Sequence, residues 1–289
     1  MEITSCLKRL IYNSLKEDIG KGDITSHAIF DTDFPVSACL IVKENAVLCG
    51  LDIFKAVFLY LSDRCHFSFS FNDGDFINAN TVVGTVSCPI KAMMAGERTA
   101  LNFLQHLSGI ATLTKKFVEK AGSLEVYDTR KTTPLLRTLE KYAVKTGGGK
   151  NHRFGLYDMV LIKDNHISAY MQREKMKDRV EAMGPVVRKV VEKAKGRYRV
   201  EVEVENFMEA REAFTAGADI IMFDNAKIVE LKKFMKFLGN QRGKIEIEWS
   251  GNVTLENISS LKSLPIDRIS VGAVTHSAKA IDFSMKIKG

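Results

Sequence analysis

The chain has no apolar run long enough to cross a bilayer, since a membrane-spanning helix needs about 20 consecutive apolar residues. Its first residues, MEITSCLKRL, also lack the basic region followed by an apolar segment that is typical of a secretion signal. There is no dense block of lysine and arginine, so the net charge of +7 does not by itself indicate nucleic-acid binding. We therefore expect a cytoplasmic protein with no membrane or nucleic-acid partner.

Cysteine is scarce, and its spacing indicates neither a disulfide framework nor a zinc site. The five cysteines are odd in number and include no CxxC pair. They are Cys6, Cys39, Cys49, Cys65 and Cys88. The sequence predicts that they are buried free thiols.

The N-terminal part, residues 1–120, has mixed patterns. Leu7, Leu10, Ile11 and Leu15 lie on one face of a predicted helix that ends at Gly20. The runs VSACLIV, HFSFSF and TVVGTVSCP read as strands, while GLDIFKAVFLYL and the stretch from AMMAGERTALNFL onward read as helices. This mixture predicts an α+β sandwich, on which the C-terminal tail, 275–289, is expected to pack.

Residues 121–274 repeat one pattern regularly. The strand-like runs EVYD, DMVLIK, YRVEVEVE, DIIMFDN, KIEIEWSG and RISVGAV alternate with helical stretches such as NFMEAREAFTAGA. Six such βα units predict a parallel sheet. Periodicity alone does not distinguish a barrel from a doubly wound open sheet.

Polar residues follow nearly every one of these strands. Because the carboxyl ends of parallel strands meet at one edge, this recurrence favours an active-site rim over a purely structural domain. The segment from Asp128 to His166 also concentrates cations beside two of the strands, which predicts a pocket for anions. These cations are Arg130, Lys131, His152, Arg153 and Lys163.

Several long motifs resemble the quinolinate phosphoribosyltransferase family. They are EDIGKGDITS, ERTALNFLQHLSGIAT, DTRKTTPLLR, GGGKNHRFGLYDMVLIKDNHI, VEVEVEN, MFDN and ISVGAVTHSAKAIDFSM, and together they cover nearly the whole chain. The resemblance implies an N-terminal α+β sandwich domain followed by an open six-stranded α/β barrel. It also implies an NAD-biosynthetic enzyme that joins quinolinate to phosphoribosyl pyrophosphate and releases pyrophosphate and carbon dioxide, giving nicotinate mononucleotide.

The resemblance assigns roles to individual residues. It implies that quinolinate is bound by Arg98, Arg130, Lys131, His152, Arg153 and Lys163. It implies that phosphoribosyl pyrophosphate is bound by Glu203 and Asp224. Its terminal phosphate is expected at the loops after the last two strands, which offer the backbone N–H groups of Ser250, Gly251, Gly272 and Ala273 together with His276. Lys131, Lys163, Glu203 and Asp224 are the expected catalytic residues, and Glu203 with Asp224 is expected to hold Mg²⁺. Arg98 is expected to enter the neighbouring subunit's site, which implies a homodimer with shared active sites; assembly beyond the dimer stays open.

Three positions need separate treatment. Glu201 shares a strand face with Glu203, so the motif position and not the periodicity selects Glu203; Glu201 lies deeper and is expected to form an ion pair. Where the family often reads EASGG, this chain reads EWSGN. Asn252 tolerates a positive φ, so the turn is expected to survive, whereas Trp249 has no assigned role.

The sequence leaves three alternative functions to be considered. The homologue encoded in molybdenum-transport operons shares the fold and the TRKT motif, but the NHRFGLYDMVLIKDNH run fits the quinolinate enzyme better. A non-catalytic anion-binding protein would gain nothing from Glu203 and Asp224 among the cations. A nucleic-acid-binding module would place its cations along a helix or an aromatic platform instead of at strand ends.

Overall fold

A computed structural model describes residues 1–288. The strands are β1 (Pro35–Val42), β2 (Ala46–Val47), β3 (His66–Phe69), β4 (Phe76–Ile77), β5 (Val82–Pro89), β6 (Glu125–Tyr127), β7 (Val160–Ile162), β8 (Val200–Val204), β9 (Ile220–Asp224), β10 (Glu246–Ser250), β11 (Arg268–Ser270) and β12 (Phe283–Ile287). Among residues 1–288, no helix combines the length and the apolar character that a membrane span requires.

The helices alternate with these strands through most of the second half of the chain. They are α1 (Ser5–Ile19), α2 (Ile24–Ile29), α3 (Leu51–Leu61), α4 (Ile90–Ala121), α5 (Arg137–Thr146), α6 (Asp164–Glu174), α7 (Arg179–Ala194), α8 (Phe207–Thr215), α9 (Ile228–Leu238), α10 (Ile258–Leu261) and α11 (Ala273–His276). A 3₁₀ helix covers Gly239–Lys244.

The chain divides into two compact units. Unit 2 comprises Phe117–Lys131 and Gly149–Ala273, and unit 1 comprises the preceding, intervening and following segments. The intervening segment, Thr132–Gly148, contains α5 and belongs to unit 1. The sequence pattern instead predicts that it is part of the second domain, residues 121–274. Helical periodicity shows which face of α5 is apolar but not which unit buries that face.

Unit 1 is built around an antiparallel sheet with strand order β12-β1-β5-β3. Strand β12 pairs with β1 in a register that places Ile287 opposite Ala38, so the C-terminal strand forms one edge of this sheet. Along β1 the buried residues are Ala38, Leu40 and Val42, which alternate as expected for a sheet with one covered face. The sheet therefore turns one apolar face towards helices.

The helices of unit 1 bury the faces that their periodicity predicts. In α1, Leu7, Ile11 and Leu15 are buried, and the helix ends at Gly20, whose φ of 56° suits a residue without a Cβ. In α3, the rings of Phe54 and Phe58 are fully buried and meet edge to face at 5.3 Å. The predicted amphipathic helix is confirmed.

The prediction of five free thiols is wrong. Cys65 and Cys88 form a disulfide, while Cys6 is an exposed free thiol and Cys49 a buried one. The pairing follows from the sheet register, because His66 lies opposite Ser87. Cys65, just before β3, and Cys88 of β5 are the next two residues of this antiparallel pair. Sequence spacing does not reveal such a pair, since the partners are 23 residues apart.

Unit 2 contains six parallel strands in the order β6-β11-β10-β9-β8-β7. From β7 to β11 each strand pairs with its sequence neighbour, and β11 returns to pair with β6. A doubly wound sheet would reverse its order at a switch point. The observed strand order therefore excludes a doubly wound sheet and agrees with the predicted open barrel.

The barrel is open between β6 and β7, which do not pair among the described residues. The chain just before β7 fills part of this gap: Lys150 forms a parallel bridge to Tyr127. The amide of Lys150 donates to the carbonyl of Val126 at 2.7 Å, and the amide of Asp128 donates back to the Lys150 carbonyl at 3.0 Å. The segment that carries His152 and Arg153 is thereby attached to the first barrel strand.

Trp249 lies in the layer between the barrel strands and the outer helices. Its ring stacks on Phe223 of β9 at 6.5 Å, and Phe223 in turn contacts Phe234 of α9. Glu248 and Ser250, its neighbours in β10, point the opposite way because side chains alternate along a strand. Asn252 adopts φ 49°, so the turn survives the loss of glycine as predicted.

We predict that Gly109→Ala destabilises unit 1. A Cβ at this position of α4 would lie 2.3 Å from the carbonyl oxygen of Lys279, so the backbone must shift. Overpacking of this kind costs about 1–3 kcal/mol, which exceeds the roughly 1 kcal/mol that alanine gains over glycine in a helix. Urea titration gives the free energy of unfolding. Gly243→Ala, which meets no atom within 4 Å, is the control, and equal stability of the two variants would contradict the prediction.

Candidate active site

A cavity of about 330 Å³ opens at the carboxyl ends of the unit 2 strands. Every barrel strand contributes to its wall from its last residues or from those just beyond, because parallel strands end at the same edge. The wall is formed by Thr129, Arg130, Lys131, His152, Arg153, Leu161, Lys163, Glu203, Met222, Asp224, Ser250 and Ser270. The residues of the predicted polar rim therefore line one common cavity.

Cations crowd one part of this wall. The guanidinium of Arg153 is almost fully buried and donates through Nη1 to the carbonyl of Met159 at 3.1 Å. Burial and then the neighbouring Arg130 lower the pKa of Arg153. The Nε of Arg130 is buried and has no hydrogen-bond acceptor among residues 1–288. Two adjacent guanidiniums, one with an unused buried donor, fit an anionic ligand.

Acidic residues occupy another part of the wall. Glu203, near the end of β8, accepts from the ammonium of Lys163 at 3.4 Å. Asp224 is the last residue of β9 and accepts from the side-chain amide of Asn225 at 3.1 Å. Both carboxylates line the same cavity as the cations. The site therefore presents both signs of charge.

The cavity wall also has an apolar part, which the sequence patterns did not predict. Leu161 of β7 and Met222 of β9 are buried side chains that line the cavity, and Ser270 ends β11 beside them. Strand parity could have found them, since each occupies an inward position near the end of its strand. Such a surface suits the faces of a planar ring.

A charged network lies buried beneath the cavity. Arg268 of β11 is 2.5 Å from a carboxylate oxygen of Glu248 and 3.4 Å from one of Glu201, and neither carboxylate is exposed to solvent. His152 Nε2 lies 3.0 Å from Glu201. The predicted ion-pair role of Glu201 is confirmed, whereas Glu248 and Arg268 were missed although both alternate with apolar residues in their strands.

The network shifts the titration of its members. Burial, followed by the charge of Glu201, raises the pKa of Glu248 to about 7. Burial also raises the pKa of Glu201. Burial by itself would lower the pKa of Arg268, but Glu248, Glu201 and Glu246 together raise it. His152, Glu201 and Glu248 offer ligand atoms within 4.8 Å of one another, but the guanidinium already supplies the cation that these carboxylates need.

Other predicted residues lie outside the cavity wall. Gly251, Gly272 and Ala273 follow β10 and β11 but are not among the residues that line the cavity, and their predicted phosphate contacts stay a prediction. His276 belongs to unit 1, where its Nδ1 lies 2.7 Å from the hydroxyl of Ser277. Arg98 is an exposed residue of α4 in unit 1. The structure thus brings together the predicted cations, except Arg98, with Glu203, Asp224 and Ser250.

The fold and this cavity define an α/β-barrel protein with a site for anionic ligands. Two family models match the chain: "Quinolinate phosphoribosyl transferase, N-terminal domain" over residues 23–108, and "Quinolinate phosphoribosyl transferase, C-terminal domain" over residues 110–286. The chain therefore belongs to the quinolinate phosphoribosyltransferase family.

Named relatives agree with this assignment. The chain is 40% identical over 284 residues to the probable nicotinate-nucleotide pyrophosphorylase [carboxylating] of Bacillus subtilis, a match that covers 97% of this chain and 93% of the relative. It is 39% identical to the protein of the same name from Methanocaldococcus jannaschii, covering 96% of each chain. The crystal structure of NadC from Streptococcus pyogenes superimposes with a TM-score of 0.91 at 39% identity, covering 100% of this chain and 99% of that one.

We predict that Glu248 makes the folded state less stable as pH rises. The pKa of Glu248 is about 7 in the folded chain, against an ordinary value of 4.5. Its contribution to the stability of the folded state is therefore complete below pH 4.5 and is lost as pH rises through about 7. In the Glu248→Gln variant the side chain at this position is neutral at every pH. Between about pH 5 and pH 8 the melting temperature of the wild type should therefore fall relative to that of the variant.

The control is Glu174→Gln, at an exposed position of α6, which should follow the wild-type curve at every pH. Parallel curves for the wild type and Glu248→Gln would show that the carboxyl of Glu248 does not change its protonation in this range.

Proposed function

We propose that this chain transfers the phosphoribosyl group of phosphoribosyl pyrophosphate to quinolinate and catalyses its decarboxylation, giving nicotinate mononucleotide, carbon dioxide and pyrophosphate. Family membership supports the proposal, and so do the names of the relatives. The observation that carries it is the cavity itself, in which paired guanidiniums, two lysines and two carboxylates surround an apolar surface. The cytoplasmic location expected from the sequence stays a prediction.

The cationic part of the wall suits quinolinate. Its two adjacent carboxylates match the planar donor sets of Arg130 and Arg153, since a guanidinium can bind a carboxylate through two parallel hydrogen bonds. The unused Nε donor of Arg130 is then satisfied by the ligand. Leu161 and Met222 offer contacts for the faces of the pyridine ring. Lys131 adds a further positive charge.

The proposed chemistry requires positioning and charge rather than a protein nucleophile. The lone pair of the pyridine nitrogen forms a bond to C1 of the ribosyl group, and the bond from C1 to pyrophosphate breaks with its electrons on the leaving group. Cations fixed in a water-poor cavity stabilise the charge that develops as this bond breaks. Lys163, which lies between the cationic and acidic parts of the wall, is our candidate for this role.

Decarboxylation follows from the charge of the product ring. After bond formation the ring nitrogen is cationic, so it stabilises the electron pair that remains on C2 when the C2–carboxylate bond breaks. A proton then adds at C2. The protein contributes by holding the ring and excluding water.

Glu203 and Asp224 are the residues that would hold Mg²⁺. Both carboxylates line the cavity, and neither is enclosed by a guanidinium as Glu201 and Glu248 are. Mg²⁺ prefers one or two carboxylates together with substrate phosphate oxygens and water. Once bound, the ion would neutralise the pyrophosphate leaving group. A simple anion-binding protein has no need of these two acids, which disfavours that alternative.

Purified protein incubated with quinolinate, phosphoribosyl pyrophosphate and Mg²⁺ should produce nicotinate mononucleotide, measured by chromatography. Replacing quinolinate by nicotinate should abolish most turnover, because cations that match two carboxylates are left partly unpaired by one. Exhaustive chelation of Mg²⁺ should also abolish most turnover. Comparable turnover of nicotinate would contradict the dicarboxylate assignment, and full activity without metal would remove Mg²⁺ from the proposal.

Arg130→Lys should lower kcat/KM for quinolinate. The variant keeps the charge but loses the planar donor set, which corresponds to a loss of roughly 1.5–3 kcal/mol in transition-state stabilisation. Arg173→Lys, at an exposed position of α6, makes the same exchange outside the cavity and should retain wild-type kinetics. Wild-type kcat/KM in Arg130→Lys would exclude a bidentate contact.

We further propose a homodimer in which Arg98 enters the partner's site. Arg98→Ala and Lys163→Ala homodimers should each be nearly inactive. In a mixed dimer one site combines an intact cavity with an intact Arg98, and the other site is doubly defective. Because random reassortment gives about half mixed dimers, activity should recover to roughly a quarter of the wild-type value.

Mass measurement must first establish that the subunits have exchanged. Mixed dimers without any recovered activity would mean that Arg98 does not act across the interface.

A further inference from the structure

Lys163 connects the cationic and acidic parts of the cavity wall, and its backbone lies in the turn between β7 and α6. Its Nζ is 3.4 Å from Oε1 of Glu203, and both residues line the cavity. The ammonium is carried on a flexible four-carbon stem, so its position depends on where the backbone holds the base of that stem. The backbone of Lys163 is extended and forms the N-cap of α6. The contacts of this backbone therefore affect the cavity.

The first turn of α6 holds this backbone at both ends. The amide of Lys163 donates to Nδ1 of His166 at 2.9 Å. Its carbonyl accepts from the amide of His166 at 2.8 Å and from that of Ile167 at 3.2 Å. Ile167 is fully buried, so the turn is also fixed to the interior of unit 2. Of these bonds only the one to Nδ1 involves a side chain, so it can be removed without changing the backbone bonds.

His166 supplies an acceptor that carries no charge. A ring nitrogen that accepts from an amide N–H has no proton of its own, so in this state the ring is neutral and its proton is on Nε2. Glutamate is a usual residue at this position of a capping box, three residues after the N-cap. A glutamate here would place a negative charge beside Lys163, where it would compete with anionic ligands for the ammonium. The histidine fixes the backbone without weakening the positive charge of the cavity.

The acidic residue of this turn lies beside a different cation. Asp164 follows Lys163 directly, and its Oδ1 is 3.6 Å from Nη2 of Arg179. The Nε of Arg179 donates to Glu209 at 3.0 Å, and Glu209 also accepts from the amide of Glu205, just after β8. Arg179 is not among the residues that line the cavity. The negative charge of Asp164 is therefore balanced outside the cavity wall.

We propose that His166 is a positioning residue for Lys163. Its Nδ1 fixes the backbone from which the lysine ammonium reaches Glu203 and the leaving group, and it does so without adding a charge. This inference rests on the proposed function of the site, in which Lys163 stabilises the charge that develops as pyrophosphate departs. His166 is not among the residues that line the cavity, so it acts through Lys163 and not on a substrate.

Two variants of His166 isolate the hydrogen bond. The amide oxygen of His166→Asn can replace Nδ1 as the acceptor, whereas the side chain of His166→Leu has no acceptor. Because the position is exposed, both variants are expected to fold. We expect kcat to fall about tenfold in His166→Leu, the size of one lost hydrogen bond, and to be largely restored in His166→Asn. KM for either substrate should change much less than kcat, because the developing charge is present only in the transition state.

Thr4→Ala is the control for the loss of a hydrogen bond at the start of a helix. It removes the bond of 3.4 Å from the amide of Leu7 to Oγ1 of Thr4, which lies in unit 1. Like His166→Leu, it should lower the free energy of unfolding, but kcat should stay at the wild-type value. Equal losses of kcat in His166→Asn and His166→Leu, an unchanged kcat in His166→Leu, or the same loss in Thr4→Ala would each overturn the proposal.

Amide hydrogen exchange measured by NMR provides a readout that does not depend on turnover. The amide of Lys163 should exchange slowly in the wild type and in His166→Asn, and faster in His166→Leu. The amide of Val180, which donates to Asp178 at 2.7 Å, is the internal reference and should exchange at one rate in all three proteins. Equal exchange of the Lys163 amide in all three would overturn the proposal. An inactive wild type with a protected Lys163 amide would instead contradict the proposed function alone.

Discussion

A carboxylate buried inside the barrel needs a cationic partner that is buried with it. Arg268 is this partner for Glu201 and Glu248. An unpaired buried charge costs several kcal/mol, and removing one partner of a buried pair exposes that cost. The three residues come from strands β11, β8 and β10, so their contacts join three strands below the cavity, although β9 separates β8 from β10 in the sheet. His152 of the cavity wall lies next to this arrangement, with its Nε2 3.0 Å from Glu201.

The cavity above the network has the opposite character. Its guanidiniums lie side by side, and the buried Nε of Arg130 lacks an acceptor in the described chain. A protein accepts such crowding where a ligand supplies the compensating charge, as a dicarboxylate and a pyrophosphate ester both would. The same fixed charges can then stabilise a leaving anion without reorganising during the reaction.

Sequence patterns and resemblance together anticipated much of this site. The strand-end positions of Lys163, Glu203 and Asp224 followed from alternating βα patterns, and their chemistry followed from long motifs. Glu248 and Arg268 were missed because a charged residue in a strand reads as exposed until the neighbouring strands are known. The Cys65–Cys88 disulfide was missed for a related reason, since only the register of β3 against β5 brings the two residues together.

The sequence alone determined the six parallel strands, the apolar faces of the helices and the family, because these depend on local periodicity and on motif order. The barrel was implied by the resemblance, although periodicity left it open. Tertiary structure alone decided that α5 belongs to unit 1, that Cys65 pairs with Cys88, and that the ring of His152 faces Glu201. Each of these depends on which residues meet across the fold. Burial then makes such contacts decisive, because a buried polar group must be satisfied by whichever neighbours the fold provides.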